Sequence, residues 1–176
     1  ADSGTPLEQG AMRMFAHTPE ISKGLTAFAG SLKQNRSLPD RLVELVRLRV
    51  AFHNQCRSCM AIRYKDGQED GITEDLVCSL EKPMEAENLS DAEKAAIHYG
   101  ELFATNHLAI NDATYDNLRK YFNEAEIVEL SMTVAFFVGF GRLAASYHMV
   151  EELPDSFQVN EEETLTPWNN ESVIVR

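Results

Sequence analysis

Cys56 and Cys59 stand three residues apart in Asn54-Gln55-Cys56-Arg57-Ser58-Cys59, a CxxC. On a helix that spacing sets the two sulfurs on neighbouring turns, close enough to join as a disulfide in one local step. Such a pair serves as a redox dithiol, forms half of a metal site, or does nothing chemical. Asn54 is suited to cap a helix, which would put both cysteines in its first turns. There the unpaired N–H groups and the helix dipole favour a thiolate, the form that attacks peroxides and disulfides. By that logic Cys56, nearer the helix start, is the more exposed nucleophile.

Two charged residues bear on this pair. Arg63 follows Cys59 by four residues, so on a continuous helix it lies one turn on and on the same face. Its guanidinium would lower a cysteine pKa; the alternative is a solvated surface residue. Arg57 invites the same argument less securely, since an adjacent side chain points elsewhere. Glu44 sits among Leu42, Val43, Leu45, Val46 and Leu48. Desolvation in so apolar a helix raises a carboxyl pKa, as a general base working near neutrality requires. The alternative is a surface Glu paired with Arg47 or Arg41. On one straight helix Glu44 and Cys56 would point about 120° apart. They converge only if the chain breaks near Asn54-Gln55.

A metal reading needs more ligands. His53, Cys56, Cys59 and Cys78 are the residue types of a Cys₃His zinc site. The long gap to Cys78 and the helical placement of all four count against it. Cys78, beside Val77 and Leu80, reads as a core thiol.

The elements that must carry these residues are helical by apolar spacing nearly everywhere. Helices are expected over 6–16, 19–35, 39–54, 55–69, 73–81, 90–106, 111–121 and 124–152, with no strand. Start signals support them: Pro19 after Thr18, Pro39-Asp40, Thr73, the Ser90/Glu93 capping box, and Asn111. The fold class is all-α, a multi-helix bundle with short connections. Residues 1–153 form one domain and 154–176 an acidic C-terminal tail. From Met132 to Tyr147 the last helix is apolar almost all round, so it is expected to be buried centrally or in a subunit interface. Gly139 and Gly141 would let another helix approach it closely. Val43-Glu44-Leu45 with Val50-Ala51-Phe52 is echoed about 85 residues on by Val128-Glu129-Leu130 with Val134-Ala135-Phe136. These are common helix residues, and the second copy has no cysteine.

Composition bounds the function. The chain has 176 residues, 44% of them hydrophobic and 25% charged, enough for one sizeable core. A net charge of −12 repels nucleic acid and anionic lipid, and no Lys/Arg run offers an exception. Half of that charge falls in residues 151–176, which also hold the only tryptophan, Trp168. This stretch reads as a solvated tail, with Trp168 available to pin it to a neighbour. No apolar run reaches the roughly 18 residues of a membrane span, and the start lacks the pattern of a secretory signal. Three cysteines are too few for a disulfide-stapled secreted fold, so a cytoplasmic protein is expected.

Glu44, twelve residues before the CxxC, lies within Glu44-Leu45-Val46-Arg47-Leu48-Arg49-Val50-Ala51, and Gly71-Ile72-Thr73 follows. This pattern resembles the alkylhydroperoxidase D-like, carboxymuconolactone decarboxylase family, most closely over residues 41–80. Glu126-Ile127-Val128-Glu129-Leu130 is similar to the stretch that opens the family's late helix. The resemblance implies an all-helical homotrimer or homohexamer. It also implies a thiol peroxidase or disulfide reductase that acts on a peroxide or small disulfide without cofactor or metal, and is recharged by a thiol reductant protein. By position Glu44 would be the base, Cys59 the attacking sulfur and Cys56 the resolving one. The family's His, four residues after the second Cys, is Arg63 here, and a permanent cation cannot shuttle a proton. That leaves direct contact with Glu44, a water, or a group such as His53, His98, His148 or Tyr64. The family also holds acid–base lactone decarboxylases, which need no cysteine pair. That reading and a non-catalytic or metal-binding helical protein are the alternatives.

Overall fold

The computed structural model describes residues 5–150, 152–158, 164–170 and 172–176. At its centre lies α3 (Asp40–Asn54), whose Leu45, Leu48 and Val50 are wholly buried. It packs chiefly against α7 (Asp91–Thr105) and α9 (Glu124–Ser146). Close approach to α7 needs Gly100, where a Cβ would stand 3.1 Å from Val46 Cγ1. The outer helices are α1 (Pro6–Phe15), α2 (Pro19–Gln34), α6 (Glu74–Cys78) and α8 (Asp112–Leu118). Capping boxes at Thr5/Glu8, Ser90/Glu93, Asn111/Thr114 and Asn123/Glu126 start α1, α7, α8 and α9, satisfying N–H groups that a helix leaves unpaired.

The all-α class holds, with three departures from the expected elements. The first is over 55–69, which is not one helix. Gln55 takes a left-handed conformation (φ 50°, ψ 36°) and ends α3. A five-residue helix follows, α4 (Arg57–Ala61), then an extended pair, β1 (Ile62–Arg63), then α5 (Lys65–Glu69). β1 pairs in parallel with β2 (Ile174–Val175), Ile62 opposite Ile174. A two-residue strand whose partner lies at the far end of the chain leaves no periodicity to read.

The second departure is at the C-terminal end. Among the described residues of 154–176, Phe157 and Trp168 are buried, and Trp168, 4% exposed, belongs to the main core. It packs at 4.8 Å between ring centroids on Phe52, so this stretch is part of the domain and not a solvated tail. The acids at 151, 161–163 and 171 lie outside the described residues.

The third is α9. It ends at Ser146, and His148 takes a left-handed conformation. Its Leu130, Val134 and Val138 are buried, whereas Val128 and Met132 are each 52% exposed. The helix therefore has two apolar faces, of which this chain covers one. Contrary to the sequence reading, α9 is long and apolar enough to cross a membrane, by length and composition only. Gly141 is met by the Asn54 side chain, and nothing lies within 4 Å of a Cβ placed at Gly139. The two similar words in α3 and α9 also differ in burial, since Val43 is buried and Val128 is not.

Candidate active site

The break at Gln55 turns the chain so that α4 lies beside α3, and Glu44 and Cys59 line one cavity. Glu44 is 4% exposed. Gly67 of α5 makes room for it, since a Cβ there would stand 3.0 Å from Glu44 Cγ. Its carboxylate is gripped by Arg47, one turn on: Nε donates to Oε2 at 2.6 Å and Nη2 to Oε1 at 2.7 Å. The Tyr64 amide also donates to Oε1, at 3.4 Å. Glu44 is thus neither an unpaired carboxylate in an apolar wall nor a surface residue, but half of a buried ion pair.

Arg47 ties that pair to the redox motif. Nη1 donates to the Cys59 carbonyl at 2.6 Å and Nη2 to the Ile62 carbonyl at 2.7 Å, groups that the end of α4 leaves without helical partners. The Tyr64 ring lies 4.8 Å from the guanidinium carbon and covers it. Burial works against the charge on Arg47, but the adjacent Glu44 carboxylate outweighs it and holds the guanidinium pKa above its ordinary value. A buried pair of this kind persists because fork-to-carboxylate geometry and extra hydrogen bonds offset desolvation.

Cys56 and Cys59 are joined as a disulfide, with Cα atoms 5.2 Å apart. Cys56, and not Asn54, caps α4, and its sulfur accepts the Cys59 amide at 3.3 Å. The two sulfurs differ in access. Cys56 is wholly buried, while Cys59 is half-buried on the wall of a cavity of about 540 Å³. Helix-end reasoning, which favoured Cys56 as the exposed sulfur, is therefore corrected. Glu44, Arg47, Cys59 and Tyr64 stand together on its wall, with Lys33, Arg36, Asp66 and Arg176 among its other polar residues; Phe15 of α1 with Phe136 and Phe140 of α9 supply much of the apolar side. Phe136 and Phe140 stack at 5.2 Å between ring centroids on that apolar side.

Arg63 is not where a continuous helix would put it. α4 stops at Ala61, and Arg63, in β1, is wholly buried. Nε and Nη2 hold Glu74 at 2.9 and 3.0 Å. Nη1 reaches the Met60 and Ile62 carbonyls, and Nη2 reaches the Pro167 carbonyl at 2.6 Å. All five of its N–H groups are engaged away from the cavity, so its expected role as thiolate-stabilising cation fails on geometry. Arg57 and His148 line a separate cavity of about 350 Å³. His53 bonds Glu101 at 3.2 Å and His98 is exposed, so neither lines the Cys59 cavity. Of the relay candidates only Tyr64 does, and its ring is spread over Arg47.

The Cys₃His set does not assemble. His53 faces Glu101, and the Cys78 thiol donates to Asn169 Oδ1 at 3.4 Å. Among the described residues no three His, Cys, Asp or Glu side chains converge as metal ligands. Sequence reasoning missed Arg47 as the site's cation, although its i+3 spacing from Glu44 was the available signal. It also missed Asn54 as an orienting group: Nδ2 donates to the Phe137 carbonyl at 2.9 Å, binding the end of α3 to α9.

The chain is similar to known proteins in sequence and in fold. The family described as the carboxymuconolactone decarboxylase family matches residues 19–102. The uncharacterized protein Rv2313c of Mycobacterium tuberculosis is 29% identical over 121 residues, 67% of this chain and 42% of that protein. The uncharacterized protein YdfG of Bacillus subtilis is 27% identical over 92 residues, 52% of this chain and 63% of YdfG. The chain thus spans less than half the length of the mycobacterial relative. Among solved structures, ATU0492 of Agrobacterium tumefaciens, a protein of unknown function, aligns with a TM-score of 0.67 at 21% identity, covering 80% of this chain and 95% of that one. The alkylhydroperoxidase AhpD core of an uncharacterized peroxidase-related protein from Ralstonia eutropha aligns with a TM-score of 0.65 at 19% identity, covering 85% and 78%. Residues 19–102, with α3 and the CxxC inside them, are thus similar to the carboxymuconolactone decarboxylase family, and the fold is alkylhydroperoxidase D-like.

Proposed function

We propose that the protein is a CxxC-dependent thiol peroxidase that reduces organic hydroperoxides and is recharged by a thiol reductant protein. The observation that carries this reading is the asymmetry of the pair: Cys59 on the cavity wall beside the Glu44–Arg47 ion pair, and Cys56 buried behind it. With the bond reduced, Cys59 loses its proton towards Glu44, the carboxylate on the same wall. The Cys59 thiolate attacks the distal peroxide oxygen, the O–O bond breaks, and the alkoxide takes a proton and leaves as the alcohol. Cys59 is then a sulfenic acid. Cys56 attacks that sulfur as a thiolate, the S–O bond breaks, and water leaves as the Cys56–Cys59 bond forms. Two electrons pass from two thiols to one peroxide. A donor dithiol reopens the bond by exchange.

Arg47 stays charged throughout. It supplies field and holds the carbonyl end of α4 in place, and proton movement falls to Glu44. The exposed apolar side chains Val128 and Met132 of α9 support assembly into a homotrimer or homohexamer. The reading places the protein in the cytoplasm, where thiol donors keep the cycle turning.

The test separates the two sulfurs. Cys56→Ser should still react once with a hydroperoxide and leave a sulfenic acid at Cys59 that dimedone traps, with no turnover. Cys59→Ser should show neither reaction. Trapping at position 56 instead would reverse the assignment, and unchanged turnover in both variants would remove the peroxidase reading.

A further inference from the structure

Described residues 164–170 and 172–176 run along both ends of the redox motif. Directly before Cys56, Gln55 exchanges two hydrogen bonds with Leu165: Nε2 donates to its carbonyl at 3.1 Å, and its amide donates to Oε1 at 2.9 Å. Beyond Cys59, Arg63 Nη2 holds the Pro167 carbonyl, and β1 pairs with β2. That pairing is closed by the Arg176 amide on the Arg63 carbonyl at 2.9 Å and the Lys65 amide on the Arg176 carbonyl at 2.7 Å. Between these anchors Trp168 is sunk in the core, against Phe52 and 5.5 Å from the Arg49 guanidinium. Arg176 then reaches α1, donating to Thr5 Oγ1 at 3.0 Å.

A five-residue helix has too few internal bonds to hold its own place. Beside Arg47, Arg63 and the bonds to neighbouring turns of α3, this late segment holds the chain on both sides of α4, at Gln55 before it and at the Arg63 and Lys65 backbone after it. Arg63, whose charge is fully engaged away from the cavity, is explained by the same arrangement. It fastens Pro167 and Glu74 to the residues that follow the CxxC.

We propose that residues 165–170 and 172–176 form a strap that positions the cysteine pair, with Gln55 and Arg63 as its positioning residues, and that strap docking and the Cys56–Cys59 bond stabilise each other. Each orders the same stretch of chain, so each reduces the entropy that the other must remove. Coupling of that kind is reciprocal. In exchange with glutathione, the protein disulfide and two glutathione thiols give the protein dithiol and glutathione disulfide: the protein sulfurs are reduced and the glutathione sulfurs oxidised. A loosened strap moves this equilibrium towards the dithiol. The proposal rests on the cysteine bond and not on peroxide turnover, so it and the peroxidase reading can fail separately.

The whole chain is equilibrated in glutathione redox buffers, and the dithiol fraction is read by alkylation and mass spectrometry. Gln55→Ala, and Arg63→Lys, which keeps the charge but loses the fork, should each favour the dithiol by about tenfold, or about 30 mV. Leu118→Ala, a core change in α8 remote from the strap, is the control for lost stability alone and should stay at the parent value. A second arm needs no variant. Acrylamide should quench Trp168, the single tryptophan, more strongly in the reduced parent than in the oxidised one. Equal quenching in both states, or a Gln55→Ala equilibrium matching the Leu118→Ala control, overturns the proposal.

Discussion

Arg47 holds Glu44 through two parallel hydrogen bonds, and the same guanidinium binds the carbonyls of Cys59 and Ile62. One side chain thus fixes both the carboxylate and the end of the helix that carries the reactive sulfur. Arg47→Met leaves a buried carboxylate without its partner and two carbonyls without donors. It should cost about 3–5 kcal/mol in urea denaturation. It should also move the pH profile of Cys59 alkylation in the reduced protein upward, because a cation is removed and an uncompensated anion remains. A profile that overlays the parent's would detach Arg47 from the thiol chemistry.

Glu44→Gln keeps the shape of the side chain and removes the proton acceptor. Turnover with an organic hydroperoxide should fall by roughly 10²-fold, with assembly retained on light scattering. Near-parent turnover would make Glu44 a structural partner of Arg47 and nothing more.

The two glycines of α9 should behave oppositely in a single chain. A Cβ at Gly141 would stand 2.5 Å from Asn54 Nδ2, so Gly141→Ala should break the Asn54 bond to Phe137 and cost about 1–3 kcal/mol. At Gly139 there is open space, and Ala should be neutral or stabilising by about 0.5–1 kcal/mol. Thermal denaturation of the two variants checks both signs. If Gly139→Ala destabilises, another copy of the chain packs on that face.

Much of the site is legible in the sequence alone. Glu44, Cys56 and Cys59 declare themselves by residue type, and the condition for their meeting, a break near Gln55, follows from helix geometry alone. What stayed hidden is long-range. Arg63 reads as a helix residue until Pro167, 104 residues away, is seen to need it. Trp168 reads as a tail residue until Phe52 is found beneath it. α9 reads as buried on all sides, because apolarity alone does not say which face this chain covers. Arg47 was hidden differently: its pairing with Glu44 looked like a reason to discount the site, and it proved to be part of the wall.

Acid stability should depend on α7. Burial raises the pKa of Glu93, but hydrogen bonds from Arg41 at 2.6 Å and from Ser90 at 2.8 Å outweigh it, and the group titrates below its ordinary value. The unfolded chain then binds protons more readily than the folded one. The contribution is fully present above the unfolded value of about 4.3 and is lost as pH falls through the lower folded value. Glu93→Gln should flatten the fall in stability measured by urea denaturation from about pH 7 to pH 3. An unchanged slope would assign acid sensitivity elsewhere, with Glu101, also lowered by bonds from His53 and Arg49, the next to examine.

The exposed Val128 and Met132 predict self-association. Light scattering at micromolar concentration should give the mass of three or six chains, and Met132→Lys should reduce it. A parent protein with the mass of one chain contradicts the assembly.

The central claim is that the Cys56–Cys59 pair reduces a peroxide. The most direct measurement mixes the fully reduced protein with one equivalent of an organic hydroperoxide and follows peroxide loss together with the intact mass. One peroxide should disappear per chain, with one alcohol formed and the mass lowered by two hydrogens. Peptide mapping should place the new bond between Cys56 and Cys59 and leave Cys78 free. Peroxide loss no faster than that of a Cys56→Ser/Cys59→Ser double variant would contradict the account.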